Sequence, residues 1–211
     1  MGALLNRRRY MGGSNGGEEP LPQGAVRVEY IESTGAQRIK TGVMVSQIAR
    51  YSTKMLITNS GSAKAEGSTA TNNWFFIGAN AQNKFYAALG STLVTSNVSN
   101  DQEFHQFDLD TTTGYFSIDG VQTSYLRNGK INSSIHFALF CCNGVGGNDN
   151  QFLYYITGKK AETQIYGDNG ELLADYIPCR IDQIGYMYDR VSGNFYRSGT
   201  GTPFSPGPDK T

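Results

Sequence analysis

Apolar and polar residues alternate with a period of two along most of this chain, the pattern of strands that bury one face. Residues 25–32 follow it closely. The runs at 48–58 (IARYSTKMLIT) and 73–79 (NWFFIGA) are richer in aromatic and β-branched side chains, as strands beside a core are. Short runs recur at 84–89, 103–110, 114–119, 121–125, 134–142 and 153–157, then at 161–166, 172–178, 185–189 and 194–197, with Gly, Asn and Asp between them. Asp119-Gly120 predicts a tight hairpin in which Gly takes a positive φ and Asp caps its own backbone. Residues 190–193 (RVSG) predict a second hairpin. The Ser/Gly/Ala-rich stretch 59–72 reads as a loop, and the Gly- and Pro-rich end, 199–211, as an extended surface segment. No segment of helical period rivals these strands, and no repeat of fixed period stands out. The pattern predicts an all-β sandwich or barrel and argues against a solenoid or propeller.

Composition agrees with that reading and removes several function classes. A chain of 211 residues is long enough to bury a core without staples. Its 13 Tyr, 11 Phe and 26 Gly favour strands and turns over helices. The formal net charge is zero and 17% of residues are charged, so there is no global electrostatic case for nucleic acid or an anionic membrane. No apolar run is long enough to cross a bilayer. Cys141, Cys142 and Cys179 form an odd set without regular spacing, which argues against a disulfide framework or a zinc site and for buried free thiols.

Residues 1–25 differ from the rest. Leu4, Leu5, Tyr10 and Met11 surround the basic run Arg7, Arg8, Arg9, and a Gly-rich, then acidic, then Pro-punctuated stretch follows. The segment cannot bury enough surface to fold alone. It reads as a tail or as a docking peptide in which the apolar residues anchor and the arginines meet acidic grooves or phosphate. Apolar residues ahead of the basic run reverse the order of a secretion signal, and Asn6 stands where myristoylation would want Ser or Thr. The expected compartment is therefore a cytoplasm until assembly or lysis.

Three blocks of sequence add a family resemblance. The first is the opening block, Glu29-Tyr30-Ile31-Glu32-Ser33-Thr34-Gly35-Ala36-Gln37-Arg38-Ile39-Lys40-Thr41-Gly42. The second runs from Phe104 to Asp110 and from Tyr115 to Gly120. The third runs from Ala174 through Tyr176-Ile177-Pro178-Cys179-Arg180 and Gly185-Tyr186-Met187-Tyr188-Asp189 to Phe204. Together they resemble the concanavalin-like, laminin-G-like jelly-roll domains of phage and prophage structural proteins from gut bacteria. Arg38 and Lys40 depart from that pattern, which more often has Tyr and an acidic residue there. The resemblance implies a jelly-roll sandwich over residues 26–180, completed by a hairpin and tail at 181–211 and preceded by an attachment segment at 1–25. It further implies a virion subunit (head decoration, head fibre or tail-associated) with other virion proteins as partners through that segment.

The candidate chemistry divides residue by residue. A retaining glycosidase needs two carboxylates about 5 Å apart. Glu103 and Asp108 fall on opposite faces of a regular strand, and Asp108 and Asp110 share a face without a Glu partner. His105 and His136 are the only histidines, and nothing near Cys141 or Cys142 would activate a thiol. No catalytic residue, metal or cofactor is expected, and Asp101, Asp168 and the neighbouring loop asparagines are assigned to turns. A glycan site would need an aromatic platform with amide and carboxylate partners. Trp74, Tyr86, Asn143, Asn148, Asp149 and Asn150 offer these, with Trp74 expected to fill the core instead.

The expectation is a non-enzymatic phage virion protein displaying a lectin-like domain. Many copies, as a homo-oligomer on the particle, would give avid attachment to cell-surface or mucosal glycans. The alternatives are a bacterial surface glycan-binding module and a glycoside hydrolase.

Overall fold

The chain is described by a computed structural model covering residues 21–58, 64–70, 73–125 and 131–211, with the backbone alone at 64, 65, 124 and 125. The docking-peptide residues Leu4, Leu5, Arg7, Arg8, Arg9, Tyr10 and Met11 lie outside the described residues. The first strands are β1 (Ala25–Arg27), β2 (Ile31–Thr34), β3 (Ile39–Met44), β4 (Arg50–Ile57) and β5 (Lys64–Ala70). Next come β6 (Asn73–Ala79), β7 (Lys84–Gly90), β8 (Thr92–Ser99), β9 (His105–Asp110), β10 (Tyr115–Ile118) and β11 (Val121–Tyr125). Then follow β12 (His136–Leu139), β13 (Cys142–Asn143), β14 (Phe152–Leu153) and β15 (Thr157–Tyr166). The last are β16 (Leu172–Ile181), β17 (Ile184–Asp189), β18 (Asn194–Tyr196) and β19 (Ser205–Pro206).

They form two sheets. The larger runs β11-β10-β9-β4-β15-β16-β17-β18, with β1 on β16, β2 on β15 and β19 on β2. The smaller runs β14-β13-β5-β6-β7-β8, with β12 joining β3 to β5. Among the described residues all pairings are antiparallel except the short one between β13 and β5. The C-terminal segment is bound down rather than loose: Val28 bridges Asp209, and Asp209 accepts from Arg180 at 2.7 and 2.8 Å.

Alternation decides which side chains enter the core. Tyr51, Met55 and Ile57 of β4, Phe107 and Leu109 of β9, and Phe116 and Ile118 of β10 meet Phe75 and Ile77 of β6 and Phe85, Ala87 and Leu89 of β7. The rings pack edge to face: Phe85 and Phe107 have centroids 5.0 Å apart at 78°. Burying each such side chain is worth about 1.5–3 kcal/mol, so this layer is the main source of cohesion. Cys141, Cys142 and Cys179 are free and buried, and burial pushes the Cys179 thiol up to about 12.

Several local expectations need revision. The stretch read as a loop contains β5, a central strand of the small sheet. Its small residues hide it, and they are there for a reason: a Cβ on Gly67 would overlap the carbonyl oxygen of Phe75. β8 is absent from the sequence reading, because its exposed face is polar at most positions and its apolar content low. The run 134–142 is split, since Phe140 takes φ +65 and turns the chain between β12 and β13. Asp119 and Gly120 both have positive φ and form a two-residue hairpin loop. Asp119 does not cap its own backbone; its oxygens accept from the Gln106 N–H at 2.9 Å and meet the His105 ring at 2.6 Å.

Two polar clusters sit within this frame. Lys160 of β15 donates to Glu66 of β5 at 2.7 Å and to Thr53 of β4 at 2.8 Å, with the lysine side chain 1% and the glutamate 0% exposed. Tyr51 also donates to Glu66, and the Phe140 N–H donates to its other oxygen at 3.1 Å. Burial pushes the Lys160 ammonium below its ordinary range, while Glu66 pulls it back up. This ion pair joins the two sheets through the core. His105 is the second cluster, with its two ring nitrogens 2.6 Å from Asp119 and 2.8 Å from Asp101.

Candidate functional site

The face of the small sheet turned away from the main core carries a separate apolar cluster. Alternation puts Trp74 and Phe76 of β6 on that face, because Phe75 and Ile77 between and after them point into the sandwich. The same argument puts Tyr86 and Ala88 of β7 there, with Cys142 packed among them. Trp74 therefore does not fill the sandwich core; it is partly buried and packs on this outer cluster. Phe76 and Tyr86 meet edge to face at 5.3 Å and 66°, and Trp74 tilts against Phe76 at 6.3 Å and 40°.

These rings line a groove of about 290 Å³. Thr69 of β5 and Leu93 of β8 line it too, and Val145 and Tyr154 close it from the segment joining β13 to β15. Leu93 is 48% and Tyr154 42% exposed, so the rim presents apolar surface to solvent, the kind of patch that marks a binding face. None of the seven lining residues is Asp, Glu, Lys, Arg or His. Burial pushes the Tyr86 hydroxyl well above its ordinary range, so it stays a neutral donor. The Thr69 hydroxyl oxygen is buried and has no hydrogen-bond partner among the described residues. An orphaned hydroxyl of this kind costs about 1–3 kcal/mol.

The loop candidates are placed differently from Trp74 and Tyr86. Asn143 is fully buried; its amide nitrogen donates to the His136 carbonyl at 2.9 Å and to Asp149 at 2.6 Å. Its amide oxygen accepts from the N–H groups of Gly144 at 2.8 Å and Asn150 at 2.9 Å. Asp149 also accepts from Lys40 at 2.6 Å and from His136 Nδ1 at 2.9 Å. Burial would raise the Asp149 carboxyl, but the bonds from Lys40, His136 and Asn143 outweigh it and hold it well below the usual carboxylate range. Asn150 accepts a second bond from Lys40 at 2.8 Å. Asn148 is exposed. None of these four residues lines the groove.

Arg38, the other departure from the resembled pattern, stacks its guanidinium 4.0 Å over the Phe152 ring and donates to the Tyr155 hydroxyl at 2.8 Å. Of the carboxylates weighed for hydrolysis, Asp108 and Asp110 have partners of their own. Asp108 accepts from Ser52 at 2.7 Å, and Asp110 caps the turn through the N–H groups of Thr112 at 2.8 Å and Thr113 at 3.0 Å.

No protein-family model matches the chain, and no curated protein matches it. Solved structures do. A "putative carbohydrate binding protein" from Bacteroides ovatus ATCC 8483 superposes with a TM-score of 0.55 at 10% identity, over 84% of this chain and 62% of that one. The chain thus spans less than two thirds of that protein. A heptameric SAP-like pentraxin from Limulus polyphemus aligns over 67% of this chain and 75% of that chain, with a TM-score of 0.44 and 8% identity. With the two-sheet topology, the first likeness places this fold among the antiparallel jelly-roll sandwiches.

Proposed function

We propose that this chain is a non-enzymatic, lectin-like module that binds a neutral saccharide in the groove over the small sheet. The observation that carries this reading is the groove itself: three aromatic rings in a row, Phe76 touching both Trp74 and Tyr86, with Leu93 and Tyr154 exposed at the rim. The C–H face of a pyranose stacks on aromatic rings, and its hydroxyls supply the hydrogen bonds that Trp74 Nε1 and the two tyrosines can answer. A charged sugar would be desolvated there without a counter-charge, which is costly. The likeness in fold to the "putative carbohydrate binding protein" of Bacteroides ovatus supports the reading.

The test is an array of neutral and acidic oligosaccharides probed with the wild-type chain and with Trp74→Ala. Retention of neutral glycans that is lost in the variant is the expected result. An empty array, or retention unchanged in Trp74→Ala, overturns the reading.

The place of action belongs to the same proposal: display on a phage particle, anchored by residues 1–25 to other virion proteins and repeated as a homo-oligomer. It rests on the opening and closing blocks and on the basic, apolar first segment. Deleting residues 1–13 should leave a folded chain that no longer joins particles, scored by mass spectrometry of purified virions. Unchanged incorporation refutes the anchor.

A further inference from the structure

The groove's outer wall comes from a segment with little regular structure and several positive-φ residues. Between β13 and β15 the backbone takes positive φ at Gly144, Gly146 and Gly147 and also at Asn150 (φ +86) and Tyr154 (φ +59). Non-glycine residues in that region are strained by about 1–2 kcal/mol each. Tyr154 is one of them, and it lines the groove. The only regular pairing here, among the described residues, is the two-residue ladder of β13 with β14. Backbone bonds brace the segment, among them the Gly144 N–H to the Gln151 carbonyl at 3.0 Å and the Ile156 N–H to the Phe140 carbonyl at 2.8 Å, and a set of side chains ties it to the rest of the fold. Lys40 grips Asp149 and Asn150, Arg38 grips Phe152 and Tyr155, and Asn143 with His136 grips Asp149 from below. Arg38 flanks and Lys40 sits on β3, at the Ile39–Leu139 and Lys40–Ala138 pairings with β12, so both are fixed by the sheet and not by the loop.

We propose that Arg38, Lys40, Asn143 and Asp149 are positioning residues that set the affinity and selectivity of the groove by fixing the wall formed by Val145 and Tyr154, without touching the ligand. The proposal rests on the groove being the binding site. Asn143, Asp149 and Asn150, which the sequence offers as ligand contacts, serve the site through the loop. If loosening reduces the fraction of chains with a formed wall to one tenth, apparent affinity falls about tenfold, because binding is diluted by the competent fraction.

The single tryptophan of the chain, Trp74, lies in the groove and reports on the wall directly. Acrylamide, a small neutral quencher, is titrated against Trp74 emission in wild type, Lys40→Met, Asp149→Ala and Lys40→Arg, with the unfolding midpoint measured for each. Lys40→Met and Asp149→Ala should raise the quenching constant about twofold or more, and Lys40→Arg, which keeps the donor, should restore it. On the oligosaccharide array the first two variants should weaken retention about tenfold or alter which neutral glycans are retained. Quenching unchanged in folded Lys40→Met and Asp149→Ala overturns the proposal, as does loss of retention that Lys40→Arg fails to rescue. An array empty for wild type refutes saccharide binding alone, and the quenching result still decides whether the clamp shapes the wall. Should Asp149→Ala not fold, Lys40→Met carries the test, since the Lys40 side chain is 32% exposed.

Discussion

Removing the ammonium of Lys160 should be among the most damaging single changes in this protein, and its size follows from where Glu66 is left. In Lys160→Met the carboxylate remains with no exposed surface, its charge no longer matched, and among the described residues only the Tyr51 hydroxyl and the Phe140 N–H still donate to it. Breaking one side of such a pair costs about 3–5 kcal/mol. For a chain of this size that lowers Tm by about 10 °C, at roughly 2–4 °C per kcal/mol. Glu66→Gln should cost about the same, since Lys160 would then be a buried cation with only neutral acceptors, chiefly Thr53 at 2.8 Å. The double variant Glu66→Gln/Lys160→Met should recover most of the loss. It buries no charge, and the introduced amide still offers an oxygen to the Tyr51 hydroxyl or to the Phe140 N–H. The assay is urea unfolding of the four proteins as a double-mutant cycle, with a coupling energy above about 2 kcal/mol expected. Single-variant costs below about 1 kcal/mol, or a double variant whose cost is the plain sum, would refute the claim that this pair is a desolvated link between the sheets.

Other expectations follow from named contacts. A neutral imidazole has one N–H and cannot donate to both Asp101 and Asp119. Burial lowers the His105 pKa, but the two carboxylates outweigh this and raise it above its ordinary 6.5, while Asp101 is lowered below 3.8, first by its bond to His105. The His105 contribution is therefore complete below about pH 6.5 and lost as pH rises through the raised value, and that of Asp101 fades only in acid below about 3.8. The urea midpoint of wild type minus that of His105→Gln should decline across that upper window; a difference independent of pH would rule the clamp out. Gly67→Ala should unfold the small sheet or lower Tm by at least about 5 °C, since the obstructing atom is the Phe75 carbonyl and cannot swing aside; calorimetry finding a change within a degree or two would contradict the packing. Tyr86→Phe should keep the fold and the stacking but weaken retention of neutral glycans by about 1 kcal/mol, the worth of one hydrogen bond, and equal retention would remove that hydroxyl from the site.

Period-two alternation alone makes most strands, the Asp119-Gly120 hairpin and the RVSG turn legible, because strand faces and positive-φ turns are local properties of the chain. The free, buried state of the cysteines is equally legible. Alternation sorts NWFFIGA into two faces, yet it is silent on which face meets a second sheet; both are apolar, so only packing against β4 and β9 assigned Phe75 and Ile77 to the core and left Trp74 and Phe76 to the groove. β5 is invisible for the same kind of reason. Its small, polar residues fit the close approach of Phe75 and the cross-sheet bond from Lys160 to Glu66, partners 94 residues apart. Asn143, Asp149 and Asn150 are visible as a polar loop, but whether their atoms face a ligand or each other depends on Lys40 and His136, which arrive from β3 and β12. Sequence determined most of the strands and their two faces, and the tertiary fold decided which face is interior, since burial is a relation between distant segments and a local pattern cannot contain it.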